Sequence, residues 1–134
     1  MEKRVNSRRK GSCFELQIAR ELELLLGIRF ERNLEQSRTV DHSDLTPSDA
    51  AFPFSLELKR YASGTGCKAE WKAQSQRAAA KTGKIACVIY KFDRQDVWVA
   101  VPMAAFGHDC AEWAETTMDG LAYLAREIMA GKAA

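Results

Sequence analysis

Length, composition and charge together describe one globular domain and exclude several classes of protein. The chain has 134 residues, of which 46% are hydrophobic and 28% are charged, and its formal net charge is +2. These fractions are ordinary for a folded domain that buries a single core, so a disordered chain is excluded. A net charge this small does not by itself indicate a polyanionic partner.

Cysteine spacing and hydropathy exclude further classes. The four cysteines are widely separated and only two histidines accompany them, so zinc-ligand spacing is absent. The charged start lacks the apolar segment of a signal peptide, and no apolar stretch approaches the length of a membrane span. We therefore expect a cytoplasmic protein with free thiols and no membrane partner.

Hydrophobic periodicity predicts the elements of the first half of the chain. A basic, flexible segment (residues 1–10) precedes Gly11-Ser12, and a helix over Cys13–Leu26 ends at Gly27. A short strand over Ile28–Arg32 follows. The polar residues 35–52 then indicate a loop or an irregular strand.

The second half alternates strands and helices. We expect a strand over Phe54–Lys59, a helix over Lys68–Lys81 ended by Thr82-Gly83, a strand covered on both faces over Ile85–Tyr90, a strand over Val97–Val101 and a helix over Thr117–Met129. This order predicts an α/β fold, a central mixed β-sheet flanked by α-helices, in one domain over residues 1–134. Residues 102–134 are expected to form a helical extension.

The strand over Phe54–Lys59 carries the most informative pattern. Side chains alternate between the two faces of a strand, so Phe54, Leu56 and Leu58 can enter the core. Glu57 and Lys59 then lie side by side on the opposite surface. A carboxylate can hold a divalent metal, and an adjacent ammonium can stabilise a phosphate or orient a water. A solvated charge pair is the alternative interpretation.

Other polar residues can complete a site around this strand. Asp41, Asp44 and Asp49 lie upstream, and any of them can supply a second carboxylate to a hard cation. Glu15 flanks the apolar stripe of the first helix, a costly position for an acid unless it is paired, metal-bound or reaching solvent. The predicted second helix has Gln74 on the same face as Trp71, from which its amide can reach the strand or simply lie at the surface.

Basic residues are concentrated early in the chain and acidic residues late. A basic face suits the phosphate backbone of a nucleic acid, although the first cluster also fits a merely solubilising terminus. His42 lies in the polar loop with no visible partner, and we interpret it as a loop histidine rather than a general base.

Several of these motifs together resemble the PD-(D/E)xK nuclease superfamily, and within it the archaeal and phage Holliday junction resolvases. The resemblance covers roughly residues 8–101 and rests on Arg9-Lys-Gly-x-x-x-Glu15, Ser43-Asp-Leu45, Phe54-x-x-Glu-x-Lys59, and Trp71-x-x-Gln74 with Ala78 and Gly83. It implies a restriction-endonuclease-like fold. By position it implies a first-helix acid (Glu15), metal ligands (Asp44 and Glu57), a catalytic lysine (Lys59) and an assisting glutamine (Gln74).

The resemblance also implies a function. We expect a magnesium-dependent endonuclease, with manganese as a substitute, that cleaves branched or junction DNA as a homodimer in a bacterial or phage-infected host cell. The backbone carbonyl of Leu58 is a further candidate ligand, and Asp41 and Asp49 remain alternatives to Asp44. The expected phosphate contacts are Arg9, Lys10, Arg32 and Arg38.

Three other functions stay open from the sequence. The first is a nuclease for flaps, nicks or ordinary duplex, and the second is a non-catalytic nucleic-acid-binding module. The third is a phage or mobile-element structural protein that docks through the acidic residues 109–119. Residues 102–131 are a candidate dimer interface, or simply cap the fold.

Overall fold

A six-stranded sheet with helices on both faces organises the chain. The computed structural model describes residues 2–33, 43–107 and 110–133, and side chains within residues 9–33, 43–107 and 110–131. The elements are α1 (Glu2–Leu26), β1 (Phe30–Arg32), β2 (Leu45–Pro47), β3 (Phe54–Tyr61), α2 (Ala69–Thr82), β4 (Ile85–Phe92), β5 (Trp98–Pro102), a 3-10 helix (Met103–Phe106), β6 (Trp113–Thr116) and α3 (Met118–Ala133).

The strands lie in the sheet in chain order, from β1 to β6. Only β3 and β4 are parallel within this described sheet, and the other neighbouring pairs are antiparallel. A parallel pair needs a crossover, which α2 supplies between β3 and β4. The predicted mixed sheet flanked by helices is therefore confirmed.

One face of the sheet packs against α1 and α3. Ile18 and Leu22 of α1 and Leu121 of α3 are fully buried there, in one cluster with Phe54 and Leu56 of β3. The helical spacing of Phe14, Ile18 and Leu22 predicted this stripe. Burial of this apolar surface fixes α1 across β3. This packing also places residues of α1 beside the candidate site described below.

The other face packs against α2. Trp71 of α2 lies in a second buried cluster with Val88, Tyr90 and Phe92 of β4. The alternative interpretation of Glu57 and Lys59 as a solvated charge pair is wrong, because α2 covers that side and leaves Glu57 only 2% exposed. The burial of β4 on both faces is confirmed, including the buried Cys87.

The predicted start of the first helix differs from the structure. The first helix begins at Glu2, not at Cys13, so the basic N-terminal segment is helical and Gly11 lies inside the helix. Lysine and arginine are good helix formers, and one glycine is tolerated when the apolar stripe beyond it is anchored. The end of α2 is confirmed, since Gly83 follows it with a left-handed φ of 70°.

Two short strands were not predicted as such. β2 lies within residues 35–52, and β6 lies in the supposed helical extension, where it pairs with β5 and widens the sheet. Segments of three or four residues carry too little alternation to be recognised, so pairing with a longer neighbour defines them. Within the described residues, no helix has the length and apolarity needed to cross a membrane.

Candidate active site

Asp44 is held against the edge of β3 by two hydrogen bonds. Its backbone N–H donates to the carbonyl of Leu56 at 2.8 Å, and its carboxylate Oδ2 accepts the backbone N–H of Leu58 at 2.6 Å. These bonds continue the pairing of β2 with β3, in which Leu45 lies opposite Leu56. Asp44 is therefore buried and fixed beside the predicted Glu-x-Lys pair.

Glu57 and Lys59 meet on the α2 side of β3. The Lys59 ammonium lies 3.4 Å from Glu57 Oε1 and donates to Gln74 Oε1 at 2.9 Å. The predicted reach of Gln74 from α2 towards the strand is confirmed by this bond. Two oxygens on different elements thus orient one ammonium, while Lys59 keeps 16% of its side chain exposed.

Asp44, Glu57, Lys59 and Gln74 line one open cleft of about 320 Å³. Gly11 of α1 forms part of its wall. The remaining wall is formed by Leu58, Arg60 and Tyr61 of β3. This cleft thus brings Asp44, Glu57 and Lys59 together.

Burial and neighbouring negative charge act on Asp44. Burial, which has the larger effect, and the charge of Glu57 together raise the pKa of Asp44 from 3.8 to about 8. The Leu58 N–H and Lys59 lower the pKa of Asp44 but do not offset these effects. Two carboxylates this close are costly to keep ionised together, and a divalent cation between them removes that cost.

The donor set fits a hard divalent cation. Among the described residues, no group of three or more histidine, cysteine, aspartate or glutamate side chains is arranged to hold a metal ion. The cleft offers two carboxylates, and Leu58 also lines it. Magnesium commonly takes one or two carboxylates and completes its shell with backbone oxygens and waters, so this set suits it.

Glu15 lies near these acids but is engaged by Arg32. The Arg32 Nε donates to Glu15 Oε2 at 2.6 Å, and its terminal nitrogen donates to Ser12 Oγ at 3.2 Å. The charge of Glu15 also raises the pKa of Asp44, so Glu15 lies within electrostatic reach of that carboxylate. Arg32, predicted as a phosphate contact, thus joins β1 to α1 beside the site.

The other predicted residues are dispersed. Arg9 is exposed on α1, and Lys10 donates to both carboxylate oxygens of Asp93, at 3.0 and 3.3 Å. Asp49 lies in an exposed turn, where its carboxylate accepts the Ala51 N–H at 2.9 Å. That bond, and its position outside the cleft lining, remove the geometric support for Asp49 as a ligand. Arg38, Asp41 and His42 lie outside the described residues.

Two residues that line the cleft, Arg60 and Tyr61, were not among the predicted site residues. Arg60 donates to Asp93 Oδ1 at 2.6 Å and so shares this carboxylate with Lys10. The ring of Tyr61 stacks on Trp71 with centroids 5.3 Å apart and planes 9° from parallel. Arg60 directly follows Lys59 in the sequence, and this position could have indicated that it lies at the site. Its contact with Asp93 could not be predicted, because it depends on the parallel pairing of β3 and β4.

Comparisons with known proteins concern the family and the fold of the chain. The model of a family described as "Phage putative PDDEXK endonuclease" matches residues 6–124. Glu57-Leu58-Lys59 supplies the E-x-K part of that name. No protein of curated function matches the sequence.

One solved structure is similar over most of both chains. It is Hjc from Archaeoglobus fulgidus, described as a Holliday junction resolvase from an archaeal hyperthermophile. The TM-score is 0.53 and the identity 18%, and the alignment covers 89% of this chain and 97% of Hjc. This likeness concerns the fold, and it confirms the restriction-endonuclease-like α/β class.

Proposed function

The chain belongs to the phage PDDEXK endonuclease family, and from that premise we propose that it is a magnesium-dependent endonuclease acting on branched DNA. The observation that carries the proposal is the convergence of Asp44, Glu57 and Lys59 in one open cleft. Burial of two acids beside an amine lowers the folding stability, so this arrangement is better explained by a function than by folding. Phosphodiester hydrolysis uses all three groups.

The two carboxylates and the Leu58 carbonyl would hold Mg²⁺, with Mn²⁺ as a substitute. When bound, such an ion polarises the scissile phosphate and lowers the pKa of a coordinated water. The charge of the ion also favours the ionised form of Asp44, whose pKa burial and Glu57 raise in the metal-free protein. Metal binding and deprotonation of Asp44 are therefore coupled.

Lys59 acts on the attacking water and on the growing negative charge of the phosphate. Its ammonium is already oriented by Glu57 at 3.4 Å and Gln74 at 2.9 Å, so little reorganisation is needed during the reaction. Gln74 is a positioning residue for this amine. Glu15, held by Arg32, steadies a water from the α1 side.

We propose that basic residues bind the DNA backbone. Arg9, Lys10, Arg32 and Arg38 are proposed to contact phosphates, which positions the duplex without reading its bases. Because a two-fold dimer can present two cleavage sites to a two-fold substrate, we propose a homodimer acting on four-way junctions. Its place of action would be the cytoplasm of a bacterial or phage-infected host cell.

The experiment is cleavage of a synthetic four-way junction and of a linear duplex of the same arm sequence, with Mg²⁺, Mn²⁺ or EDTA. We expect cleavage in either metal and none in EDTA. Lys59→Ala and Glu57→Ala should each reduce the rate at least about 100-fold, the usual range for a lost catalytic group. Asp49→Ala, which removes an exposed carboxylate outside the cleft, should cleave like the unmodified protein.

The alternatives give different results in the same assay. Equal rates on junction and duplex would identify a nuclease of broader substrate range, and flapped or nicked duplexes would then define that range. Junction binding without cleavage in either metal would identify a binding module. Unchanged cleavage by Lys59→Ala and Glu57→Ala would remove the proposed active site. Sedimentation of the protein, free and with junction DNA, tests the dimer.

A further inference from the structure

Gly11 is an unexplained glycine in the interior of α1. Glycine lowers the stability of a helix relative to alanine at such a position, because it has more backbone freedom to lose. Packing does not require it here. A Cβ built on Gly11 would meet no atom of the described residues within 4 Å. At Gly120 of α3, in contrast, a Cβ would collide with Thr116 Oγ1, so that helical glycine is required by packing.

Gly11 also lines the candidate active site. It forms the α1 side of the cleft that contains Asp44, Glu57 and Lys59. The open space beside its Cα is therefore part of the approach to these groups. A side chain of any size at position 11 would project into space that the described residues do not fill.

The residues on either side of Gly11 are turned towards partners. The Lys10 ammonium is held by Asp93 at 3.0 Å, and the Ser12 hydroxyl accepts a hydrogen bond from Arg32. Two cationic groups thus flank a bare stretch of helix backbone at the mouth of the cleft. A polyanionic chain is the ligand that this arrangement suits, since its phosphates can replace Asp93 and Glu15 as partners of the two cations and the glycine lets it approach closely.

We propose that one strand of the DNA substrate crosses α1 at Gly11, with its sugar–phosphate backbone in van der Waals contact with the bare Cα. Gly11 is then a positioning residue that keeps the path to Lys59 clear, at some cost in helix stability. The inference rests on the proposed function and adds to it the route by which the strand enters.

The test compares stability with DNA binding in two pairs of variants. Gly11→Ala and Gly11→Leu fill the approach, while Gly131→Ala and Gly131→Leu are matched changes at an exposed glycine of α3 that also has no described neighbour within 4 Å. Thermal melting measures the stability of each variant. The Kd for junction DNA in Ca²⁺, and then KM and kcat in Mg²⁺, measure how well the substrate reaches the cleft.

We expect Gly11→Ala to melt at or above the temperature of the unmodified protein, since alanine favours the helix. Its Kd and KM for DNA should nevertheless rise several-fold, and those of Gly11→Leu about tenfold or more, while kcat changes less. The Mg²⁺-induced rise in melting temperature should be retained, because the acids are untouched. Both Gly131 variants should bind DNA normally.

Normal Kd and KM for Gly11→Leu would overturn the inference. If Gly11→Leu melts at a lower temperature than the unmodified protein, its weaker binding could reflect unfolding, and the Gly11→Ala variant then provides the test. Normal DNA binding by Gly11→Ala would overturn the inference in that case. If the unmodified protein cleaves no DNA in any metal, the proposed function fails. The Ca²⁺ binding comparison still tests the route of the strand in that case.

Discussion

At Asp44, folding stability, pH and divalent-ion binding are linked through one buried carboxylate. Burial and the charge of Glu57 raise the pKa of Asp44 from 3.8 to about 8 in the folded protein. The folded state therefore binds this proton more tightly than the unfolded state does. Between about pH 4 and pH 8, this group makes the metal-free protein less stable as the pH rises.

The size of the effect follows from the shift. A change from 3.8 to about 8 corresponds to an upper value of about 6 kcal/mol, at about 1.4 kcal/mol per pKa unit. Water entry and relaxation of the cleft reduce the penalty of a buried charge. We therefore expect Asp44 to account for a loss of about 2 to 4 kcal/mol in the free energy of unfolding between about pH 5 and pH 8.5.

Urea unfolding in EDTA at these two pH values measures this loss. Asp44→Asn keeps the shape of the side chain and an oxygen that can accept the Leu58 N–H, but it cannot ionise. Its stability should fall by about 2 to 4 kcal/mol less than that of the unmodified protein. Asp49→Asn changes an exposed aspartate of the neighbouring turn, so it should retain the full pH dependence.

Addition of Mg²⁺ at the higher pH extends this test. An ion present at ten times its dissociation constant stabilises the folded state by about 1.4 kcal/mol. We expect that gain in the unmodified protein and in Asp49→Asn, but not in Asp44→Asn. The same pH dependence in Asp44→Asn and the unmodified protein would refute the linkage, and equal stabilisation of Asp44→Asn by Mg²⁺ would remove Asp44 from the metal site.

Two further predictions concern the ends of β3 and β4. Gly64→Ala would place a Cβ 2.5 Å from the buried Phe92 ring, so we expect it to lower the free energy of unfolding by about 2 to 4 kcal/mol. Gly66→Ala shares the positive φ without the clash and should lose only about 1 kcal/mol; equal losses in denaturant titrations would exclude the clash. Asp93→Asn releases two cations beside the cleft and should tighten DNA binding with a steeper salt dependence, whereas Asp96→Asn, an exposed acid of the same turn, should change binding less. Weaker binding by Asp93→Asn would mean that this acid orients the cations for DNA.

Much of the fold could be predicted because long elements carry strong periodic signals. The eight residues of β4 form an apolar run, and the stripe of α1 repeats at helical spacing, so both were recognised. The missed elements have a common cause. β6 has four residues and is defined by its pairing with β5, which no local pattern reports. The start of α1 was placed late because Gly11-Ser12 resembles a helix start.

The sequence could place candidate site residues side by side where they are close along the chain. Glu57 and Lys59 are separated by one residue, and strand alternation alone puts them on one face. The choice between Asp44 and Asp49 could not be made that way, since it depends on how β2 pairs with β3. The structure puts Asp44 beside Leu58 and Asp49 in the turn. The contact of Arg60 with Asp93 likewise needs the register of two parallel strands.

The acids and the amine of the candidate site lie at different depths in the cleft, and this difference indicates how metal and substrate would be arranged. Asp44 and Glu57 are 4% and 2% exposed, whereas the Lys59 side chain is 16% exposed. The acids therefore form the floor and the amine lies nearer the solvent. An ion held by the floor would meet a phosphate that arrives from the solvent side, where Lys59 is already oriented by Gln74. Because the amine is held on both sides, the substrate has to come to it, and its approach past Gly11 then becomes a determinant of rate.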